Sequence, residues 1–237
     1  MNPTSLILLI LYLTPTLSMD PKFEACEPKT CGHGPNISYP FYIRGRQKAF
    51  CGNPGFDLTC GTHGYPILNL INTNYTVDKI FYNNHSLRLS NPSFSSHAAS
   101  CLARAQNVTA GKYRFRVAPA QRRVMVVYGC AGVQVGTRIG CDAGNETASV
   151  LALEGGREEL EMARGNCTGG LAEAVVEDVG GGVAAALRRG FLLIWNATNC
   201  TECVNSGGRC GFDLSTDVYA FRCYCPDRPH AVKCGTG

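Results

Sequence analysis

Fourteen cysteines in 237 residues constrain this chain more than any other feature. They stand at Cys26, Cys31, Cys51, Cys60, Cys101, Cys130, Cys141, Cys167, Cys200, Cys203, Cys210, Cys223, Cys225 and Cys234. So many thiols do not persist in a reducing cytosol unless they bind metal. Cys200-x-x-Cys203 and Cys223-x-Cys225 are the one candidate zinc set. The second pair is separated by a single residue, tighter than the usual spacing of structural zinc pairs. The reading is therefore bridges, up to seven, with no metal and no cofactor, and with the pairing left open by the spacing alone. Each bridge adds about 2–4 kcal/mol by restricting the unfolded chain. A fold carrying 27 glycines and 12 prolines needs that support.

The N-terminus agrees with an oxidising compartment. Residues 6–13 are apolar apart from Tyr12, and Thr16 and Ser18 stand three and one before a cut at Ser18/Met19. That is the pattern of a secretory leader over residues 1–18, although no Lys or Arg precedes the run. The run is too short to span a bilayer, which takes about 20 apolar residues. Eight Asn-x-Ser/Thr sequons begin at Asn36, Asn74, Asn84, Asn107, Asn145, Asn166, Asn196 and Asn199. In a secreted chain they imply a solvent-facing, glycan-bearing surface.

Charge divides the chain. Up to Gly140 there are 14 Lys and Arg against 5 Asp and Glu, a net of +9; from Cys141 there are 8 against 13, a net of −5. Two parts with different surfaces are expected, divided between Gly140 and Cys141. Residues 75–82 and 87–89 have strand composition with a turn at Asn83-Asn84, and residues 112–117 alternate basic with apolar. Residues 124–128 form an apolar run suited to a strand buried on both faces, and residues 191–195 form another core strand. Helix formers concentrate in residues 157–164 and 183–189, the second preceded by a Gly180-Gly181-Gly182 break. The expected fold is mainly β and disulfide-rich, two small cysteine-rich domains with minor helix.

The last six cysteines form a dense knot whose Cys223-x-Cys225 spacing resembles a degenerate EGF-like module. That resemblance implies the pairs 200–210, 203–223 and 225–234. A wider resemblance covers nearly all of the chain after residue 18. Cys31-Gly32, Ile37-Ser38-Tyr39-Pro40-Phe41 and Cys51-Gly52-Asn53-Pro54-Gly55-Phe56-Asp57-Leu58-Thr59-Cys60 resemble the galacturonan-binding domain of plant wall-associated receptor kinases. Gly190-Phe191-Leu192-Leu193-Ile194-Trp195, Cys200-x-x-Cys203-x-x-Ser206-Gly207-Gly208-x-Cys210-Gly211 and Cys223-Tyr224-Cys225-Pro226-Asp227 resemble the C-terminal domain of the same family, the leaf-rust-resistance type above all. The resemblance implies a galacturonan-binding-like domain at residues 19–100 and a C-terminal-like domain at residues 101–237, together the ectodomain of a single-pass serine/threonine receptor kinase, with pectin or oligogalacturonide as ligand. Neither a membrane helix nor a kinase domain follows Cys234, so the expectation is a secreted relative or part of a receptor: extracellular, in the cell wall or on the outer face of the plasma membrane.

A binder of polygalacturonate needs spaced cations beside flat apolar surface. Arg44, Arg46 and Lys48 alternate, so in an extended segment they share a face, with Tyr39, Phe41 and Tyr42 just before them. Lys112, Arg114 and Arg116 offer a second row. Arginine holds a carboxylate through two parallel hydrogen bonds. The bland alternative for each row is the solvated side of a strand, with the aromatic residues as core. No catalytic constellation is visible: the five histidines are scattered, and no Gly-x-Ser-x-Gly elbow or phosphate loop occurs. The acidic cluster Glu158, Glu159 and Glu161 falls on a helix whose exposed face explains it. The chain is therefore read as a binding module and not an enzyme. Its alternative ligand is a protein or peptide, as a decoy or co-receptor in defence signalling, and nucleic acid is excluded by the secretory route.

Overall fold

The computed structural model describes residues 19–70, 73–94, 114–130, 132, 134–139, 150–178, 180–215 and 219–235. The expected leader, Lys112, Cys101, Cys141, Asn107 and Asn145 lie outside these residues. Fourteen strands are described: β1 (Tyr42–Ile43), β2 (Asp57–Cys60), β3 (Pro66–Leu70), β4 (Thr73–Phe81), β5 (Ser86–Ser90), β6 (Phe115–Val117), β7 (Gln121–Cys130), β8 (Thr137–Ile139), β9 (Val150–Leu153), β10 (Cys167–Glu177), β11 (Phe191–Trp195), β12 (Arg209–Asp213), β13 (Ala220–Tyr224) and β14 (Pro229–His230). Four helices accompany them: α1 (Pro21–Ala25), α2 (Arg157–Asn166), α3 (Gly182–Arg189) and α4 (Thr201–Asn205). The protein is a disulfide-rich, mainly β structure, as expected.

The largest sheet runs β1-β2-β3-β4-β5-β11-β6. Its β4–β5 hairpin turns through a short 3-10 segment, Tyr82–Asn84, and a left-handed His85. Strand β4 buries Tyr75, Val77 and Ile80, which breaks a strict period of two. The break has a local cause: the register shifts between Val77 and Lys79, a bulge that inserts Asp78. Phe41, Phe56, Leu87, Leu89, Phe115, Phe191, Leu193 and Trp195 belong to one buried cluster on this sheet. Strands β11 and β6, from beyond the expected boundary at residue 100, therefore complete a sheet begun by residues 42–90.

The second sheet, β10-β7-β9-β8, is antiparallel throughout. Helix α3 packs Val183, Ala186 and Leu187 with Val124, Val126 and Tyr128, while α2 places Ala163 with Val127, Leu151 and Leu153. Both faces of β7 are covered, which is the physical reason its sequence is apolar without alternation. Gly181, left-handed at φ 85°, caps the start of α3, and Gly190 ends it at φ 82°.

The third sheet, β12-β13-β14, carries the C-terminal knot. Its bridges are Cys200–Cys210, Cys203–Cys223 and Cys225–Cys234, the pairing implied by the EGF-like resemblance. Elsewhere Cys26 joins Cys51, Cys31 joins Cys60, and Cys130 joins Cys167. Every described cysteine is therefore bridged. The close groups Cys223, Cys225, Cys234 and Cys225, Asp227, His230 consist partly or wholly of disulfide sulfur, leaving no thiolate to hold a metal there.

The knot sits against the N-terminal segment. Arg209 donates to the Phe23 carbonyl at 2.6 Å while its guanidinium lies 4.1 Å from the Phe23 ring centre. The Asp20 amide donates to the Pro226 carbonyl, and Tyr224 packs edge-on to Phe50.

Candidate functional site

The two expected cationic rows end in different states. Arg44, Arg46 and Lys48 do not share a strand face, because the strand ends at Ile43 and residues 44–47 form a turn with Gly45 at φ 81°. Gln47, buried inside that turn, fixes it: its Oε1 accepts from the Ile43 amide and its Nε2 donates to the Glu27 carbonyl. Parallel pairing sets Tyr42 opposite Asp57 and brings the Asp57 carboxylate onto Arg44. Arg46 donates to the Thr30 carbonyl at 2.8 Å. Two of the three cations are thus tied to structural partners, and Lys48 is exposed.

The aromatic residues of that segment also divide. Phe41 is 0 % exposed, edge-on to Phe56 and Trp195, so it is core and presents no face to a ligand. Tyr39 stacks on Phe212 and donates its hydroxyl to the Thr198 carbonyl at 2.9 Å. Burial pushes its phenol up to about 12 against the smaller opposing effect of that hydrogen bond. Its ring joins the knot to the N-terminal segment. Tyr42 remains partly exposed; burial and the nearby Asp57 carboxylate raise its phenol, with Arg44 opposing them.

The second row is described at Arg114 and Arg116 only, since Lys112 lies outside the described residues. Phe115 points into the core, Arg116 stands on the exposed side of β6, and Arg114, also exposed, sits in the turn just before that strand. Neither guanidinium makes an ion pair or hydrogen bond among the described residues. Both line an open depression of about 490 Å³ with Asn84, His85, Phe115, Ile194, Trp195 and Asn196. That volume falls within the ~300–1,000 Å³ common for small-molecule sites.

The backbone ladder builds this depression. Arg116 lies opposite Ile194, and Ile194 lies opposite Ser86. The Trp195 amide donates to the His85 carbonyl, and the Asn196 amide donates to the Arg114 carbonyl, both at 2.9 Å. His85 stands 5.9 Å from Trp195, centre to centre. Trp195 is only 4 % exposed, so charge and hydrogen bonding, more than ring stacking, are what the depression offers. The sheet also curls its outer strands toward one another, since Phe115 of β6 lies 5.0 Å from Phe56, next to β2. Consequently the Arg114 guanidinium lies over Gly55, where an added Cβ would come within 2.6 Å of it.

His85, Trp195, Asn84 and Asn196 were not legible as site residues. Asn84 and Asn196 carried a signal only as sequons, and no local pattern joins residue 85 to residue 195.

Comparison with known proteins covers most of the chain. Residues 26–91 match the family described as wall-associated receptor kinase galacturonan-binding, and residues 141–228 match the one described as wall-associated receptor kinase C-terminal. The chain is 36 % identical over 229 residues to leaf rust 10 disease-resistance locus receptor-like protein kinase-like 1.2 of Arabidopsis thaliana, covering 91 % of this chain and 34 % of that protein. It is 25 % identical over 252 residues to the 2.1 member of the same series in Arabidopsis thaliana, covering 97 % and 38 % respectively. The chain thus spans about a third of the length of these curated relatives. No solved structure matches. Among the described residues, no helix is long and apolar enough to cross a membrane.

Proposed function

Because the chain belongs to the ectodomain family of wall-associated and leaf-rust-10-type receptor-like kinases, we propose that it binds an acidic wall polysaccharide, de-esterified pectin or its oligogalacturonides, through the depression at Arg114 and Arg116. In this reading it acts outside the cell, as the sensing part of a receptor-like kinase or as a secreted relative, and carries no catalysis itself. The observation that carries it is the pair of exposed arginines two residues apart, Arg116 on β6 and Arg114 just before it, without acidic partners among the described residues and both lining the depression. Residues at that spacing lie about 6–7 Å apart, and each group can take a carboxylate through two parallel hydrogen bonds. The depression's His85 adds a polar group for sugar hydroxyls. Arg44 and Arg46 serve the fold first, so they contribute general positive field more than contact.

The test is binding of the secreted, oxidised protein to polygalacturonate, with fully methyl-esterified polymer as the uncharged control. Binding should weaken as salt rises from about 0.1 M to about 1 M, over which the Debye length falls from about 10 Å to about 3 Å. Exposed charge contacts contribute about 0.5–1 kcal/mol each, so Arg114→Ala with Arg116→Ala should weaken binding about 5- to 30-fold. Unchanged binding in that double variant would sink the assignment of the site. A second reading, pairing of an extended peptide along β6, is favoured by the outer position of that strand in its sheet. Salt-insensitive binding of protein with no response to pectin would support it instead.

A further inference from the structure

Three strand ends meet at the rim of the cationic depression, and two of them bear sequons. The hydrogen bonds Trp195 N–H to His85 O and Asn196 N–H to Arg114 O hold the ends of β5, β11 and the start of β6 in step. Asn84, just before β5, Asn196, just after β11, and Arg114, just before β6, therefore stand at the same end of three successive strands, and all three line the depression. Asn84-His85-Ser86 and Asn196-Ala197-Thr198 are both glycosylation acceptors, and both asparagines are exposed. The other described sequon asparagines, Asn36, Asn74, Asn166 and Asn199, are exposed as well but do not line the depression.

We propose that N-glycans on Asn84 and Asn196 gate the Arg114/Arg116 depression, so that occupancy of these two sequons sets whether an acidic polysaccharide chain can enter it. The proposal rests on reading the depression as the binding surface. A glycan is a bulky, solvated branch. Anchored beside Arg114 at the end of β11, or one strand further at the start of β5, it sweeps the space that a polymer must cross to reach either guanidinium. The two attachment points are themselves neighbours, so glycans on both crowd one another. Glycoforms of one sequence then differ in ligand access with no change in the fold. A glycan on Asn166, at the end of α2, has no such reach and is the internal control.

The experiment uses the full secreted chain, with occupancy at each sequon read by peptide mass spectrometry. Accessibility of Arg114 and Arg116 is read by phenylglyoxal modification, which needs no polysaccharide. Asn84→Gln with Asn196→Gln should raise modification of both arginines several-fold over the glycosylated parent, and Asn166→Gln should not. Asn84 accepts a hydrogen bond from Ser86, so its replacement can disturb the hairpin. Two further arms cover that case: Thr198→Ala, which removes one sequon and keeps Asn196, and trimming of the folded parent to a single sugar per site with an endoglycosidase. Both should raise modification in the same direction. The proposal is overturned if neither Asn84 nor Asn196 is occupied, or if occupied and trimmed proteins are modified equally. Oligogalacturonide binding separates the two readings. Modification that rises while no form binds oligogalacturonide keeps the gate and discards the polysaccharide. Equal oligogalacturonide binding by every glycoform discards the gate and keeps the polysaccharide.

Discussion

Arg88 and Glu177 join the first sheet to the second, and their removal should reveal whether the two family segments unfold as one unit. Arg88, on β5, places its Nη2 3.0 Å from Oε2 and 3.3 Å from Oε1 of Glu177, on β10. The side chains are 26 % and 14 % exposed, between a surface pair and a buried one. Surface pairs contribute about 0–1 kcal/mol, whereas stranding one partner of a buried pair costs about 3–5 kcal/mol. Intermediate burial puts the loss from a stranded Glu177 at about 2–3 kcal/mol. The Arg88 Nε is buried with no hydrogen-bond partner among the described residues, so deleting it returns about 1 kcal/mol. Arg88→Met should therefore lose about 1–2 kcal/mol net, and Glu177→Met about 2–3 kcal/mol, since it strands a guanidinium. The double variant replaces both charges by apolar chains and should return to within about 1 kcal/mol of the parent. Denaturant unfolding of the oxidised protein, run as a double-mutant cycle, measures the coupling. Singles that add within about 0.5 kcal/mol would refute the pairing argument. Two separate transitions in the parent would refute the shared unit.

Three other perturbations follow from the packing. Gly190→Ala should be severe, because its Cβ would overlap the Leu89 carbonyl oxygen and its φ of 82° disfavours any side chain; overpacking and strain together cost about 2–5 kcal/mol. Gly207→Ala, at the same φ but with no atom within 4 Å, isolates the strain alone at about 1 kcal/mol; equal losses in thermal unfolding would refute the steric account. Burial raises the carboxyl of Asp78 above its ordinary 3.8, against weaker opposition from Ser90 and Arg88. The stability that this shift confers is complete below 3.8 and lost as pH rises through the folded value. Asp78→Asn should thus be more stable than the parent at neutral pH and lose that advantage in acid; an advantage constant with pH, read from denaturation midpoints, would refute it. Removing Cys130–Cys167, which spans 37 residues, should cost about 3.8 kcal/mol in the chain-entropy account, against about 2.7 kcal/mol for Cys200–Cys210, which spans 10; a reversed order of melting temperatures would refute the loop-length argument.

Some of this was legible because it is local. The alternation around Phe115 is a period of two that needs only a strand to become a two-faced surface, and Arg114 and Arg116 fell on the open face. The unbroken apolar run in β7 stated that both its faces would be covered, and α2 and α3 cover them. The Gly180-Gly181-Gly182 break and the helix formers after it gave α3 with its start nearly placed. The row at Arg44, Arg46 and Lys48 shows where local reading fails. Its alternation is equally clear, yet a buried Gln47 turns the chain there and Asp57 neutralises Arg44.

By itself, then, the sequence determined a bridged, extracellular type of β fold, the buried and open sides of β6 and β7, and the stock of cations from which a polyanion site could be built. Tertiary structure decided which cations were left without a partner among the described residues. Arg44 met its partner through pairing with β2, while Arg114 and Arg116 met none among the described residues and were set beside His85, Trp195 and two sequons by a ladder joining β5, β11 and β6. The physical reason is that periodicity records which side of a strand a residue occupies. The neighbour it meets there depends on register with strands distant in sequence, and the energy that sets register comes from the shared core beneath.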